Sequence, residues 1–152
     1  MKVKDCMTPT PVTCAPATSL RLVAQLMADL DCAAIPIVDS GRLVGIITDR
    51  DIACRAVTTV DDAPARPAAD FMTAHVIAIA PEESFEDAAV LMLDNHLHHL
   101  PVVNAEGEIV GIVAQSDLGR RMSNREFGML ARGVSIKESR AAYRRVSVVK
   151  TH

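Results

Sequence analysis

Two short stretches hold the side chains best suited to recognising a polar ligand. Gly45 to Asp51 reads Gly-Ile-Ile-Thr-Asp-Arg-Asp, an apolar run ending in Thr48, Arg50 and Asp51. A carboxylate only accepts hydrogen bonds, a threonine hydroxyl donates and accepts, and arginine adds a cation that suits an anionic group. An acid in a first helical turn also stabilises the helix, so Asp51 has a purely structural role open to it too. Sixty-six residues later, Gly111 to Asp117 reads Gly-Ile-Val-Ala-Gln-Ser-Asp, with Ala114 for Thr48 and Ser116 for Arg50. The chain carries one well-equipped stretch and one reduced copy.

Other reactive side chains form weaker patterns. His98 and His99 are adjacent, so they do not easily face one ion, and no carboxylate or cysteine completes a metal-ligand spacing with them and His96. No metal is expected, and His96 reads as a helix cap. Cys6, Cys14, Cys32 and Cys54 lack Cys-x-x-Cys spacing and read as small buried hydrophobes of a reducing compartment. No serine or cysteine has a recognisable activating partner, so no catalytic residues are assigned. Gly41, Gly45, Gly107 and Gly111 read as turn and strand-packing residues, because none lies in a phosphate-cradling loop.

The elements that position these residues recur twice. Met7-Thr8 returns as Met72-Thr73, Ser19 as Ser84, Leu26-Met27 as Leu91-Met92, and Ile35-Pro36-Ile37-Val38 as Leu100-Pro101-Val102-Val103, all at an offset of 65. One inserted residue before Gly107 makes the later offset 66. Such a match implies two structurally equivalent halves. In the first, Val12 to Cys14 reads as a strand and Ser19 caps a helix whose Leu20, Val23, Ala24, Leu26, Met27 and Leu30 share one face. Ile35–Val38 and Leu43–Thr48 follow as strands around the turn Asp39-Ser40-Gly41-Arg42, and Asp49 to Val57 closes as a helix. The second half repeats the order, with strands at 76–79, 100–103 and 109–113 and helices from Ser84, in a capping box with Asp87, and from Ser116. Each repeat is β-α-β-β-α, with one sheet face it cannot bury alone. The fold expected is therefore α+β, two tandem repeats packed sheet to sheet about a pseudo-twofold axis. Its parts are repeat 1 (3–57), a linker (58–67), repeat 2 (68–122) and a basic extension (123–152).

The order β-α-β-β-α, the hydrophobic-Pro dipeptide on the second strand and Gly-hydrophobic-hydrophobic-Thr-x-x-Asp at the end of the third resemble a CBS-domain pair, or Bateman module, of the stand-alone bacterial kind. The resemblance spans about 110 of 152 residues. It implies adenosine-containing regulatory ligands (AMP, ADP, ATP or S-adenosylmethionine) bound in clefts between the repeats, with no other cofactor. Asp51 and Thr48 match the family's ribose-binding pair. The main cleft would comprise Ile46, Thr48, Arg50, Asp51, His75, Val76, Ile77, Leu97, His98, His99 and Pro101, with Arg50, His98 and His99 toward phosphates. The companion cleft would use Thr10, Pro11, Val12, Cys32, Ala33, Ala34, Pro36, Ile112, Ala114, Ser116 and Asp117. Lacking the threonine and both histidines, it is expected to be empty, weak or fitted to an uncharged adenosine-like ligand.

Composition sets the remaining bounds. The 152 residues lack tryptophan and are only 3% aromatic, so the core must be aliphatic and methionine-rich. No apolar run reaches the roughly 18 residues of a membrane span and no leader pattern opens the chain, giving the expectation of a soluble, cytoplasmic protein without membrane contact. A net charge of −8 over residues 1–122 is set against +5 over 123–152, where Ser135-Ile136-Lys137-Glu138 signals a short basic helix. The resulting expectation is a non-catalytic sensor of energy or metabolites, working as a homodimer and through an unidentified effector protein. The alternatives are a ligand-free dimerisation scaffold and, less favoured, nucleic-acid contact through the tail, where only Phe127 and Tyr143 supply aromatic rings.

Overall fold

Turns and caps divide residues 1–59 and 61–131, those described in a computed structural model, into five strands and six α-helices. The strands are β1 (Thr8–Pro9), β2 (Ala34–Asp39), β3 (Arg42–Thr48), β4 (His99–Val103) and β5 (Ile109–Ala114). The helices are α1 (Leu20–Leu30), α2 (Asp49–Asp51), α3 (Val57–Thr59), α4 (Phe85–Asp94), α5 (Gln115–Gly119) and α6 (Asn124–Ala131). The described residues form two compact units, one of Met1–Thr10, Ile77–Ala105 and residues 110–131, the other of Pro11–Val76 and Glu106–Ile109. Both are mixed α and β, consistent with tandem repeats.

In the unit built from Pro11–Val76, the hairpin turn sets the sheet. Ser40 and Gly41 both have positive φ, 50° and 80°, as a two-residue turn needs to match strand twist. The paired strands β2 and β3 run from Ala34↔Thr48 to Asp39↔Arg42 and bury Ile35, Ile37, Leu43 and Ile47. Ser19 caps α1 by accepting from the Leu22 N–H at 3.4 Å, and Asp31 ends it in the left-handed region at φ 50°. Leu20, Val23 and Met27 of α1 join Cys14, Ala56, Ala63, Ala68 and Phe71 in the core. Leu30, placed on that face by periodicity, is 52% exposed because it lies in the last turn, beside the left-handed exit. The helix after β3 passes through a π-helical stretch, Ile52–Ala56, between α2 and α3.

The other unit repeats the plan. Ser84 caps α4 by accepting from Asp87 N–H at 3.0 Å, and its own hydroxyl donates to the Asp87 carboxylate at 2.6 Å. His96 follows α4 at φ 54°, the counterpart of Asp31. Phe85, Leu91, Met92, Leu100, Val102, Val113 and Leu118 form the core with Val3 and Cys6.

Each unit includes the lead-in of the other sequence repeat. Thr8 and Pro9 of β1 pair with Ile112 and Gly111, while Thr73 bridges Ile46 through two backbone bonds of 2.8 and 3.0 Å. This explains the glycines on the third strands. A Cβ at Gly45 would come within 3.0 Å of Met72 Cγ, and one at Gly111 within 2.9 Å of Met7 Cγ. Gly41 and Gly107, at φ 80° and 83°, serve turns.

The structure corrects several local expectations. The strands expected at 12–14 and 76–79 reduce to single parallel bridges, Cys14↔Ile37 and Ile79↔Val102. Prolines at 11, 16 and 81 limit the ladder there. The final helix of the second repeat starts at Gln115, one residue before Ser116. Cys54 is exposed and Cys32 half-buried, so only Cys6 and Cys14 fit the expected role, and burial raises their thiol pKa above its ordinary value. Helix α6 was not anticipated, although Ser123 and Glu126 form a capping box in which Ser123 N–H donates to the Glu126 carboxylate at 2.9 Å. The helix read from Ser135 lies outside the described residues. No described helix is long and apolar enough to cross a membrane.

Candidate functional site

The corner between β3 and α2 is built by the sequence Thr48-Asp49-Arg50-Asp51. Thr48 ends the strand in extended backbone, φ −119° and ψ 162°, which suits a β-branched residue. Its hydroxyl accepts from Asp51 N–H at 3.2 Å and donates to Asp51 Oδ2 at 2.9 Å. The Thr48 N–H donates to the same oxygen at 2.9 Å. Among the described residues, Asp51 is the one charged side chain that is buried, at 9% exposure. Its other oxygen, Oδ1, faces Arg55 Nε at 3.4 Å. Burying a polar group without partners is costly, and these contacts offset that cost.

Arg55 extends this network beyond the corner. Its Nη1 donates to the Phe71 carbonyl at 3.2 Å and to Thr73 Oγ1 at 3.4 Å. Arg55 is absent from the expected site residues, although its spacing of four from Asp51 on a helix is the signal that pairs them. Asp49 N–H donates to Ala33 O at 3.0 Å, which fixes the helix start against the residue before β2. Arg50 is exposed.

The corresponding corner in the other unit is simpler. Ala114 N–H donates to Asp117 Oδ2 at 2.9 Å, and Asp117 Oδ1 meets the exposed Arg120 at 3.3 Å. There is no hydroxyl to complete the box. Gln115 N–H donates to His98 O, and Gln115 Oε1 lies 2.9 Å from His98 Nδ1.

The predicted site residues divide between the units. Ile46, Thr48, Arg50, Asp51, His75 and Val76 lie in the same unit as Pro11, Val12, Cys32, Ala33, Ala34 and Pro36. Ile77, Leu97, His98, His99 and Pro101 lie in the unit that also holds Thr10, Ile112, Ala114, Ser116 and Asp117. Among the described residues, no three His, Cys, Asp or Glu side chains are arranged to hold a metal ion.

A protein-family model described as the CBS domain matches the chain twice, over residues 3–57 and 68–124. The chain belongs to the CBS-domain family. It is similar to the CBS domain-containing protein YhcV of Bacillus subtilis, 37% identical over 134 residues, covering 88% of this chain and 94% of that protein. Among solved structures, the CBS domain pair of protein MJ0100, in complex with 5-methylthioadenosine and S-adenosyl-L-methionine, superposes with a TM-score of 0.73 at 31% identity, over 80% of this chain and 94% of that one. The protein CBSX2 in complex with AMP gives a TM-score of 0.70 at 27% identity, over 79% and 94%. CBS repeats thus account for both the internal duplication and the paired corners.

Proposed function

We propose that this CBS-domain chain is a non-catalytic regulatory module that binds an adenosine-containing ligand at the Thr48/Asp51 corner. The observation that carries the reading is the Asp51 carboxylate, buried and held by Thr48, at the position where the family resemblance assigns ribose binding. That two similar proteins were solved with AMP and with S-adenosylmethionine supports the ligand class. Within the same unit, His75 and Val76 would serve the adenine and Arg50 would face phosphate. The Ala114/Asp117 corner, which lacks the hydroxyl, would bind more weakly.

The output would pass through assembly or through an effector protein. Leu22, Leu30 and Val57 are 50%, 52% and 74% exposed on the helices of one unit, which supports a homodimer.

Isothermal titration of nucleotide-stripped protein with AMP, ADP, ATP and S-adenosylmethionine tests the reading. Binding lost in Asp51→Ala and largely retained in Asp117→Ala is the expected result. A greater loss in Asp117→Ala would reverse the assignment of the two corners. No binding of any of the four would favour a ligand-free scaffold.

A further inference from the structure

Asp51 makes only part of its network within the corner; the rest runs through Arg55 to a segment distant in sequence. Arg55 meets Asp51 Oδ1 with one nitrogen and reaches Phe71 O and Thr73 Oγ1 with another. Thr73 is the residue that pairs with Ile46 of β3, and it lies two residues before His75. A planar guanidinium can hold acceptors on two sides at once, which an ammonium cannot do with the same geometry.

The second copy lacks this connection. Arg121 stands at the position of Arg55, but its Nη1 lies 3.7 Å from Met1 Sδ, and Asp117 pairs instead with Arg120. Thr8, the counterpart of Thr73, is exposed and pairs through β1 without a side-chain tie to Asp117. The two corners therefore differ in connectivity as well as in the missing hydroxyl.

We propose that Arg55 is a positioning residue that couples ligand at Asp51 to the segment 71–76, so that occupancy of the first corner, and not of the second, is transmitted to that segment. The inference rests on the adenosine-binding reading of Asp51. A ribose hydroxyl donating to Oδ1 competes with Arg55 Nε for the same oxygen. Loosening that contact frees the guanidinium that holds Phe71 and Thr73. The segment carrying His75 and Val76 then responds to the ligand at the sugar end.

Hydrogen exchange at the Thr73 and Ile46 amides, which form the reciprocal backbone pair, reads this directly. In ligand-free protein, Arg55→Met should speed exchange at both amides, and Arg55→Lys should restore part of the protection. In the wild type, saturation with whichever of the four adenosine ligands titrates should change Thr73 exchange by about fivefold or more, the lower end of typical coupling between sites. In Arg55→Met that ligand-dependent change should vanish while heat of binding remains. Thr73→Val, which keeps the strand pairing and removes the side-chain acceptor, should shrink the change without loss of affinity and serves should Arg55→Met not fold. An undiminished ligand response in either variant would overturn the coupling and leave ligand binding at Asp51 standing. A wild type that binds none of the ligands would instead remove the adenosine reading and this inference with it.

Discussion

Replacing Thr48 by alanine would make the first corner a copy of the second, and the structure gives the size of the effect. The hydroxyl makes two bonds, from Asp51 N–H at 3.2 Å and to Asp51 Oδ2 at 2.9 Å. The backbone bond from residue 48 to Asp51 should survive, as the Ala114 N–H to Asp117 bond does. Loss of a threonine cap costs about 0.5–2 kcal/mol. The upper half of that range applies because a buried carboxylate also loses a donor. A loss of about 1–2 kcal/mol in a chain of this length lowers Tm by about 2–8 °C. The reverse change, Ala114→Thr, enters extended backbone at φ −97° and ψ 155°, close to that of Thr48, and should raise stability by about 0.5–1 kcal/mol. Thermal melts of ligand-free wild type, Thr48→Ala, Thr48→Ser and Ala114→Thr, followed by circular dichroism, make the comparison. Thr48→Ser should melt near the wild type. A Thr48→Ala melt within about 1 °C of wild type would refute the assignment of the hydroxyl as a cap, since the expected shift is larger.

Gly45→Ala would press a methyl group against Met72 and should cost about 1–3 kcal/mol in chemical denaturation, with Met72→Ala in the same chain recovering part of it; simple additivity would show that the two do not touch. Glu82 is held down to about 2 by hydrogen bonds from Lys2 and Lys4, against an ordinary 4.5, so its contribution is complete above about 4.5 and lost as pH falls toward about 2. The melting difference between wild type and Glu82→Gln should therefore be present at neutral pH, close over that acid window, and shrink with added salt because all three groups are exposed; a difference that persists below pH 2 would contradict the pairing.

Local chemistry was legible where a few neighbouring residues decide it. Ser40-Gly41 forced the hairpin, Ser19 and Ser84 started their helices, and the spacing of Thr48 and Asp51 produced the expected first-turn acid. The repeat and the CBS family were legible because the duplicated order is preserved across both halves. Pairing across the sequence was not. The bridge from Thr73 to Ile46 and the pairing of Thr8 with Ile112 join residues 27 and 104 apart, and no local periodicity encodes such a partner. Arg55 was missed for a related reason. Its bond to Asp51 follows helix spacing, but its bonds to Phe71 and Thr73 depend on that long-range pairing.

The differences between the two corners separate what the fold requires from what it does not. Both units place a glycine of the third strand under a methionine of the other repeat's lead-in, and both have a left-handed residue in the exit from the first long helix, Asp31 at its C-cap or His96 one residue past it. These features answer to packing and chain reversal, which both copies share. Helix α5 starts after Ala114 with only the backbone bond to Asp117, so a helix can begin at this corner without a hydroxyl. The Thr48 hydroxyl and the Arg55 tie therefore exceed what the helix start demands. An arrangement that adds a second donor to a buried carboxylate, and links it to the segment leading to His75, fixes the orientation of Asp51. Fixed orientation is what a ribose acceptor needs and a helix cap does not. The asymmetry is therefore a difference in how the two carboxylates are held, and it supports the proposal that places the ligand at the first corner.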